Sequence, residues 1–133
     1  MSYILDTHIL LWARLEPKRI RPKQRIILES SDVEKWISSI TVWEISLKYS
    51  LGKLDLGGHT PDEFIAGIYK LGMKVIAPNT EQYSTYYLLP KIPSHKDPFD
   101  RMLVWHAMKS GATLLSSDNR LNEYEPHGLT IVS

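Results

Sequence analysis

The chain has 133 residues, 43% of them hydrophobic and 23% charged, which suits one globular domain and excludes long disorder, collagen-like and coiled-coil organisation. It contains no cysteine, so disulfides, thiolate zinc sites, iron–sulfur centres and cysteine nucleophiles are excluded. Lys and Arg number 16 against 15 Asp and Glu, and the resulting net charge of +1 does not by itself indicate a nucleic-acid partner.

Ser2–Leu5 is a short apolar run and reads as a buried strand. No basic segment precedes it and Asp6 follows at once, so no signal peptide is expected. No apolar run approaches the roughly 20 residues of a bilayer span, and a cytoplasmic location is expected. Thr7–Leu15 has helix character until Pro17, and Pro22 opens a second helix over Lys23–Glu29. Arg14, Lys18, Arg19, Arg21, Lys23 and Arg25 accompany one acid, Glu16. A solvated helix face is expected there, with a phosphate-binding patch as the alternative. Trp36–Ser38 reads as a second strand and Thr41–Ser50 as a helix ended by Gly52. Thr60-Pro61-Asp62-Glu63 supplies cap, first-turn proline and first-turn acids for a helix reaching about Leu71.

Lys74–Ala77 reads as a third strand, Thr80–Leu88 as a short tyrosine-rich helix and Pro90–His95 as a loop. Asp97-Pro98 starts a helix to Ser110, with Gly111 as its C-terminal cap. Thr113–Ser116 and Leu129–Val132 are the fourth and fifth strands, with a turn or two of helix over Asn119–Glu125. Strands alternating with helices predict an α/β fold: a mainly parallel sheet covered on both faces. No repeat or linker divides the chain, and residues 1–133 are expected to form one domain.

In a parallel sheet the ligand site lies beyond the carboxyl ends of the strands. Asp6 follows the first strand directly and Asp118 follows the fourth. Glu44 falls in the first turn of the helix after the second strand, and Asp97 and Asp100 start the helix before the fourth. All five carboxylates have a route to that edge. Each also has a structural explanation. Thr41-Val42-Trp43-Glu44 fits a capping box, Asp97 and Asp100 fit another, and Asp6 and Asp118 can cap or hold turns. Acids gathered at one edge repel one another unless protons or a cation intervene. An all-oxygen cluster suits Mg²⁺ or Mn²⁺.

Four blocks occur in order: Leu5-Asp6-Thr7-His8; Trp43-Glu44-Ile45-Ser46 followed by Gly52-Lys53-Leu54; His95-Lys96-Asp97-Pro98-Phe99-Asp100-Arg101; and Leu115-Ser116-Ser117-Asp118. Together they resemble the acidic motifs of PIN-domain proteins, most of all the VapC toxins of bacterial type II toxin–antitoxin systems. The resemblance implies a three-layer α/β/α fold with about five parallel strands. It also implies an endoribonuclease dependent on Mg²⁺ or Mn²⁺, a homodimer, and a small antitoxin that blocks the pocket. By position, Asp6, Glu44, Asp100 and Asp118 match the four family acids, and Asp97 is a supporting acid. Ser116 stands where the last motif often has threonine.

On that reading Asp6, Asp100 and Asp118 hold one or two metal ions, Glu44 orients or deprotonates the water, and metal-activated water hydrolyses an RNA phosphodiester bond. Thr7 and Ser116 would hydrogen-bond a metal ligand or a phosphate oxygen, or only a local turn. Arg101 would pair with a site carboxylate or the scissile phosphate, or stay solvated. His95 reads as a loop histidine that can meet RNA, and His8 and His106 as ordinary helix residues. Trp12, Trp36, Trp43 and Trp105 read as core or partner-facing anchors, and Tyr83, Tyr86 and Tyr87 as a stretch suited to a dimer contact. The alternatives are a non-catalytic RNA- or protein-binding module of the same fold and a housekeeping nuclease. A phosphoacceptor domain fits poorly, because Asp6 follows its strand alone.

Overall fold

The computed structural model describes residues 1–133. Its strands are β1 (Ser2–Leu5), β2 (Glu34–Ser38), β3 (Lys74–Ile76), β4 (Thr113–Leu115) and β5 (Ile131–Val132). Its α-helices are α1 (Thr7–Leu15), α2 (Pro22–Glu29), α3 (Ser39–Ser50), α4 (Pro61–Tyr69), α5 (Thr80–Ser84) and α6 (Pro98–Ser110). Three 3₁₀ segments, Pro17–Arg19, Tyr86–Leu88 and Asn119–His127, complete the chain. No helix is long and apolar enough to cross a membrane.

All five strands are parallel, in the order β3-β2-β1-β4-β5. Successive strand residues point to opposite faces, and the two cores follow that alternation. Ile4 and Leu114 join one core with Leu103, Trp105 and Ala107 of α6. Leu5 and Leu115 join the other with Ile9 and Leu10 of α1 and Phe64 and Ile68 of α4. Each fully buried aliphatic side chain contributes about 1.5–3 kcal/mol over leaving it in water. A sheet apolar on both faces is therefore held between two helical layers, as the three-layer expectation requires.

Several boundaries differ from the sequence reading. The expected helix over Thr80–Leu88 divides into α5 and the Tyr86–Leu88 turn, because the Thr85 N–H bonds back to Glu81 and closes α5. The Asn119–His127 segment is 3₁₀, ended by Gly128 at φ 110°, a conformation that favours glycine. β2 starts two residues early at Glu34 and runs straight into α3, which begins at Ser39 and not at Thr41. That shift matters for Glu44.

Candidate metal centre and active site

Parallel pairing puts the ends of β1 and β4 side by side. The Asp6 N–H extends the ladder by donating to the Leu115 carbonyl at 2.9 Å. The Asp6 carboxylate accepts from the His8 N–H at 3.1 Å, capping α1, and from Ser116 Oγ at 2.5 Å. Ser116 Oγ in turn accepts the Asp118 N–H at 3.0 Å. One hydroxyl thus ties together two acids far apart in sequence. The Ser116 carbonyl is held by Gln24 Nε2 at 3.1 Å, and the Gln24 side chain is fully enclosed. Asp6 is only 3% exposed. Burial pushes its carboxyl above the ordinary range, and the bonds from Ser116 and His8 offset part of that rise.

Glu44 does not belong to a capping box. Ser38 caps α3, its Oγ accepting from the Ile40 N–H at 3.1 Å, so Glu44 lies in the second helical turn rather than the first. Thr41 is inside the helix and buried, its hydroxyl 3.1 Å from that of Thr7. Glu44 is 4% exposed. Thr7 Oγ1 donates to its Oε1 at 2.7 Å and Lys48 Nζ to its Oε2 at 2.5 Å. Partial burial opposes the Lys48 charge, but the Glu44 hydrogen bond and charge, aided by Asp97 and Asp100, raise its pKa.

Asp97 caps α6 as expected, accepting from the N–H groups of Phe99 at 2.8 Å and Asp100 at 3.3 Å. Asp100 faces the site from the first turn. Burial first, then repulsion from Asp6, Asp97, Glu44 and Asp118, pushes its pKa up to about 7. Asp118 caps the last 3₁₀ segment, and both its oxygens take N–H groups of Arg120, at 3.0 and 2.8 Å. The Arg120 hydrogen bonds hold the Asp118 carboxyl below its usual range. The structural reading of Asp6 and Asp118 is met: one oxygen of each caps a helix, with the carboxylate at the carboxyl edge of the sheet.

Arg101 is neither paired with a site carboxylate nor solvated. Its guanidinium bonds Tyr86 Oη and Tyr124 Oη, each at 2.9 Å, and the carbonyls of Pro90 at 3.1 Å and Leu89 at 3.2 Å. It anchors the 86–90 segment to α6. The basic stretch is partly committed as well. Arg14 bonds the Phe64 carbonyl at 2.5 Å, Arg25 bonds that of Pro17, and Arg19 stacks over Trp12. Arg19 and Trp12 also line an open groove with Asp6, His8, Ser117 and Asp118. A second groove, about 700 Å³, runs past His95, Lys91 and Lys96. Trp105 is core, whereas Trp43 is exposed and packs edge-on against Phe99 at 5.0 Å.

Sequence reasoning missed four residues here. Lys48 was legible as the i+4 partner of Glu44, and Arg120 as the cation two residues past Asp118. Gln24 and the burial of His95 carried no local signal. His95 is enclosed, with Nε2 3.6 Å from Asp100 Oδ2 and 3.8 Å from Asp118 Oδ2. Burial holds its pKa below the usual value.

The residues fit a divalent cation. Glu44 and Asp118 have cationic partners in Lys48 and Arg120, but no lysine or arginine pairs with Asp6 or Asp100. His95, Asp100 and Asp118 bring one ligand atom each within 4.8 Å of one another. An oxygen-rich set with an uncompensated negative charge is the chemistry that Mg²⁺ or Mn²⁺ takes.

A family model described as the PIN domain matches residues 3–125. No curated protein matches the sequence significantly. Among solved structures, the fold is similar to a chain of VapBC2 from Rickettsia felis bound to a DNA fragment from their promoter (TM-score 0.69, 18% identity, covering 99% of this chain and 98% of that one). It is also similar to a chain of VapBC-1 from nontypeable Haemophilus influenzae (TM-score 0.67, 22% identity, 100% and 98% covered). A third likeness is to DNA-bound VapBC from Salmonella typhimurium (TM-score 0.65, 22% identity, 99% and 97% covered). Since the family match runs from within β1 almost to the end of the last 3₁₀ segment and takes in all five acids of the carboxyl edge, the chain belongs to the PIN-domain family.

Proposed function

We propose that residues 1–133 act as one metal-dependent endoribonuclease domain and as the toxin of a type II toxin–antitoxin pair. The observation that carries the nuclease reading is the gathering of Asp6, Glu44, Asp97, Asp100 and Asp118 at one edge of the sheet, where burial and then the other four carboxylates raise the pKa of Asp100 to about 7. Charge gathered at that cost to the fold makes sense where a cation occupies the site. Asp6, Asp100 and Asp118 would hold Mg²⁺ or Mn²⁺. Such an ion supplies charge relief at the phosphoryl oxygens and lowers the pKa of water. Ser116 fixes the Asp6 carboxylate, and Gln24 fixes Ser116. Thr7 and Lys48 each take one oxygen of Glu44, which orients the attacking water and accepts its proton. The water oxygen bonds to phosphorus as the bond to the 3′ oxygen breaks, leaving 5′-phosphate and 3′-hydroxyl ends.

RNA is the favoured substrate because cationic and aromatic side chains flank the acids on two sides: Arg19 and Trp12 in one groove, Lys91 and Lys96 in the other. The toxin reading is supported by the near-complete coverage of chains from VapBC complexes. A basic side chain of the antitoxin would enter the acidic pocket. Exposed Tyr83, Tyr87 and Leu88 offer an apolar surface for a homodimer. A cytoplasmic location follows from the substrate.

Cleavage of a structured-RNA pool by wild type and Asp6→Asn, with Mg²⁺, Mn²⁺ or EDTA, tests the activity. Metal-dependent cutting by wild type alone is expected. Equal cleavage by both proteins, or cleavage that survives EDTA, defeats the mechanism. Co-expression with an adjacent small open reading frame tests the toxin assignment. Failure to form a complex and to relieve growth arrest defeats that assignment and leaves the nuclease standing.

A further inference from the structure

We propose that His95 is a nitrogen ligand of the metal centre and that it tilts the site from Mg²⁺ toward later first-row ions such as Co²⁺ and Ni²⁺. This rests on the metal-dependent reading above and goes beyond its set of acids. The His95 side chain is 1% exposed, yet neither Nδ1 nor Nε2 has a hydrogen-bond partner. Buried ring nitrogens are normally paired, so two orphans on one imidazole need an explanation. Nε2 faces Asp100 Oδ2 at 3.6 Å and Asp118 Oδ2 at 3.8 Å, both too long for hydrogen bonds. Two ligands, each about 2.1 Å from a common ion, can stand up to about 4.2 Å apart, so one ion can bridge either gap.

The ring is also held in advance. The His95 N–H bonds the Ile92 carbonyl at 2.9 Å, and the imidazole meets the Tyr124 ring edge-on at 5.9 Å. Tyr124 is itself fixed by Arg101. The arginine that anchors the 86–90 segment thus also supports the wall behind this histidine. A neutral imidazole is a softer donor than a carboxylate. It raises affinity along the series from Mn²⁺ to Ni²⁺ more than for Mg²⁺, which prefers oxygen.

The test is calorimetric titration of the full chain with MgCl₂, CoCl₂ and NiCl₂, comparing wild type with His95→Phe and His95→Gln. Circular dichroism of the metal-free proteins checks folding. The expected result is a loss of roughly tenfold or more in Co²⁺ and Ni²⁺ affinity on removing the imidazole, with Mg²⁺ affinity changing by less than about threefold. Unchanged Ni²⁺ affinity in folded variants overturns the proposal and leaves the metal-dependent nuclease intact. A wild type that binds no divalent ion overturns both. If both variants fail to fold, electron spin-echo spectroscopy of Mn²⁺-loaded wild type decides. Nitrogen modulation is expected, and its absence overturns the assignment.

Discussion

Replacing Asp100 with Asn should make the metal-free protein more stable above neutral pH. Asp100 has an ordinary value of 3.8 in the unfolded chain and about 7 in the folded one. The unfolded carboxyl therefore loses its proton first as pH rises, and stability falls from about pH 4 until it levels off above pH 7. At about 1.4 kcal/mol per unit the penalty is of order 4 kcal/mol. Water reaching the partly exposed side chain should reduce it to about 2–3 kcal/mol. Asparagine keeps the shape and removes the charge. Urea unfolding in EDTA should give wild type and Asp100→Asn nearly equal stability at pH 4, with the variant ahead by about 2–3 kcal/mol at pH 8. Mn²⁺ or Mg²⁺ should narrow or reverse the gap by stabilising wild type selectively. A variant less stable than wild type at pH 8 in EDTA would refute the reasoning, because the carboxylate would then be a net stabiliser.

Arg101→Leu should cost about 3–5 kcal/mol, since four hydrogen bonds to a charged group are lost and two tyrosine hydroxyls lose their partner; a loss below about 1 kcal/mol in chemical denaturation would contradict the anchoring role. Ser116→Ala leaves Asp6 Oδ2 and the Asp118 N–H without their shared hydroxyl, so the RNA-cleavage rate should drop by more than about tenfold, a loss that isothermal unfolding should not fully account for. Burial pushes the pKa of His106 down to about 4, so the unfolded chain takes up the proton first on acidification. The stabilisation is complete above about pH 6.5 and is lost toward pH 4, to the extent of about 3 kcal/mol. Asp100 has the opposite dependence over the same range, so the His106 slope should be steeper in Asp100→Asn than in wild type.

The sheet was readable because every strand carries apolar residues on both faces and strand alternates with helix. The acids at its edge were readable because Asp6 and Asp118 follow strands and Asp97 carries a first-turn proline. Glu44 was misplaced by three positions for a specific reason. Ser38 and Thr41 are both plausible caps, and the choice falls to Ser38, whose hydroxyl also meets His106 Nδ1 at 2.8 Å from a residue 68 positions away. Arg101 was misread because its partners are Tyr86, Leu89, Pro90 and Tyr124, none of them a helical neighbour. His95 looked like any loop histidine, since its enclosure depends on Tyr124 and a short turn from Ile92. Local propensity and spacing reach as far as the carboxylates. The groups that orient them come from distant parts of the chain.

The hydroxyl shared by Asp6 and Asp118 also bears on when during synthesis the acidic edge can assemble. Asp6 leaves the ribosome well before Ser116, which follows 110 positions later. Until β4 emerges, β1 is paired on one edge only, and the first acid has neither its hydroxyl donor nor its Asp118 companion. A nascent chain or a prematurely terminated fragment therefore lacks an assembled centre. The order of the strands therefore acts as a timer: the edge that gathers the acids closes only after β4 and Asp118 have been made.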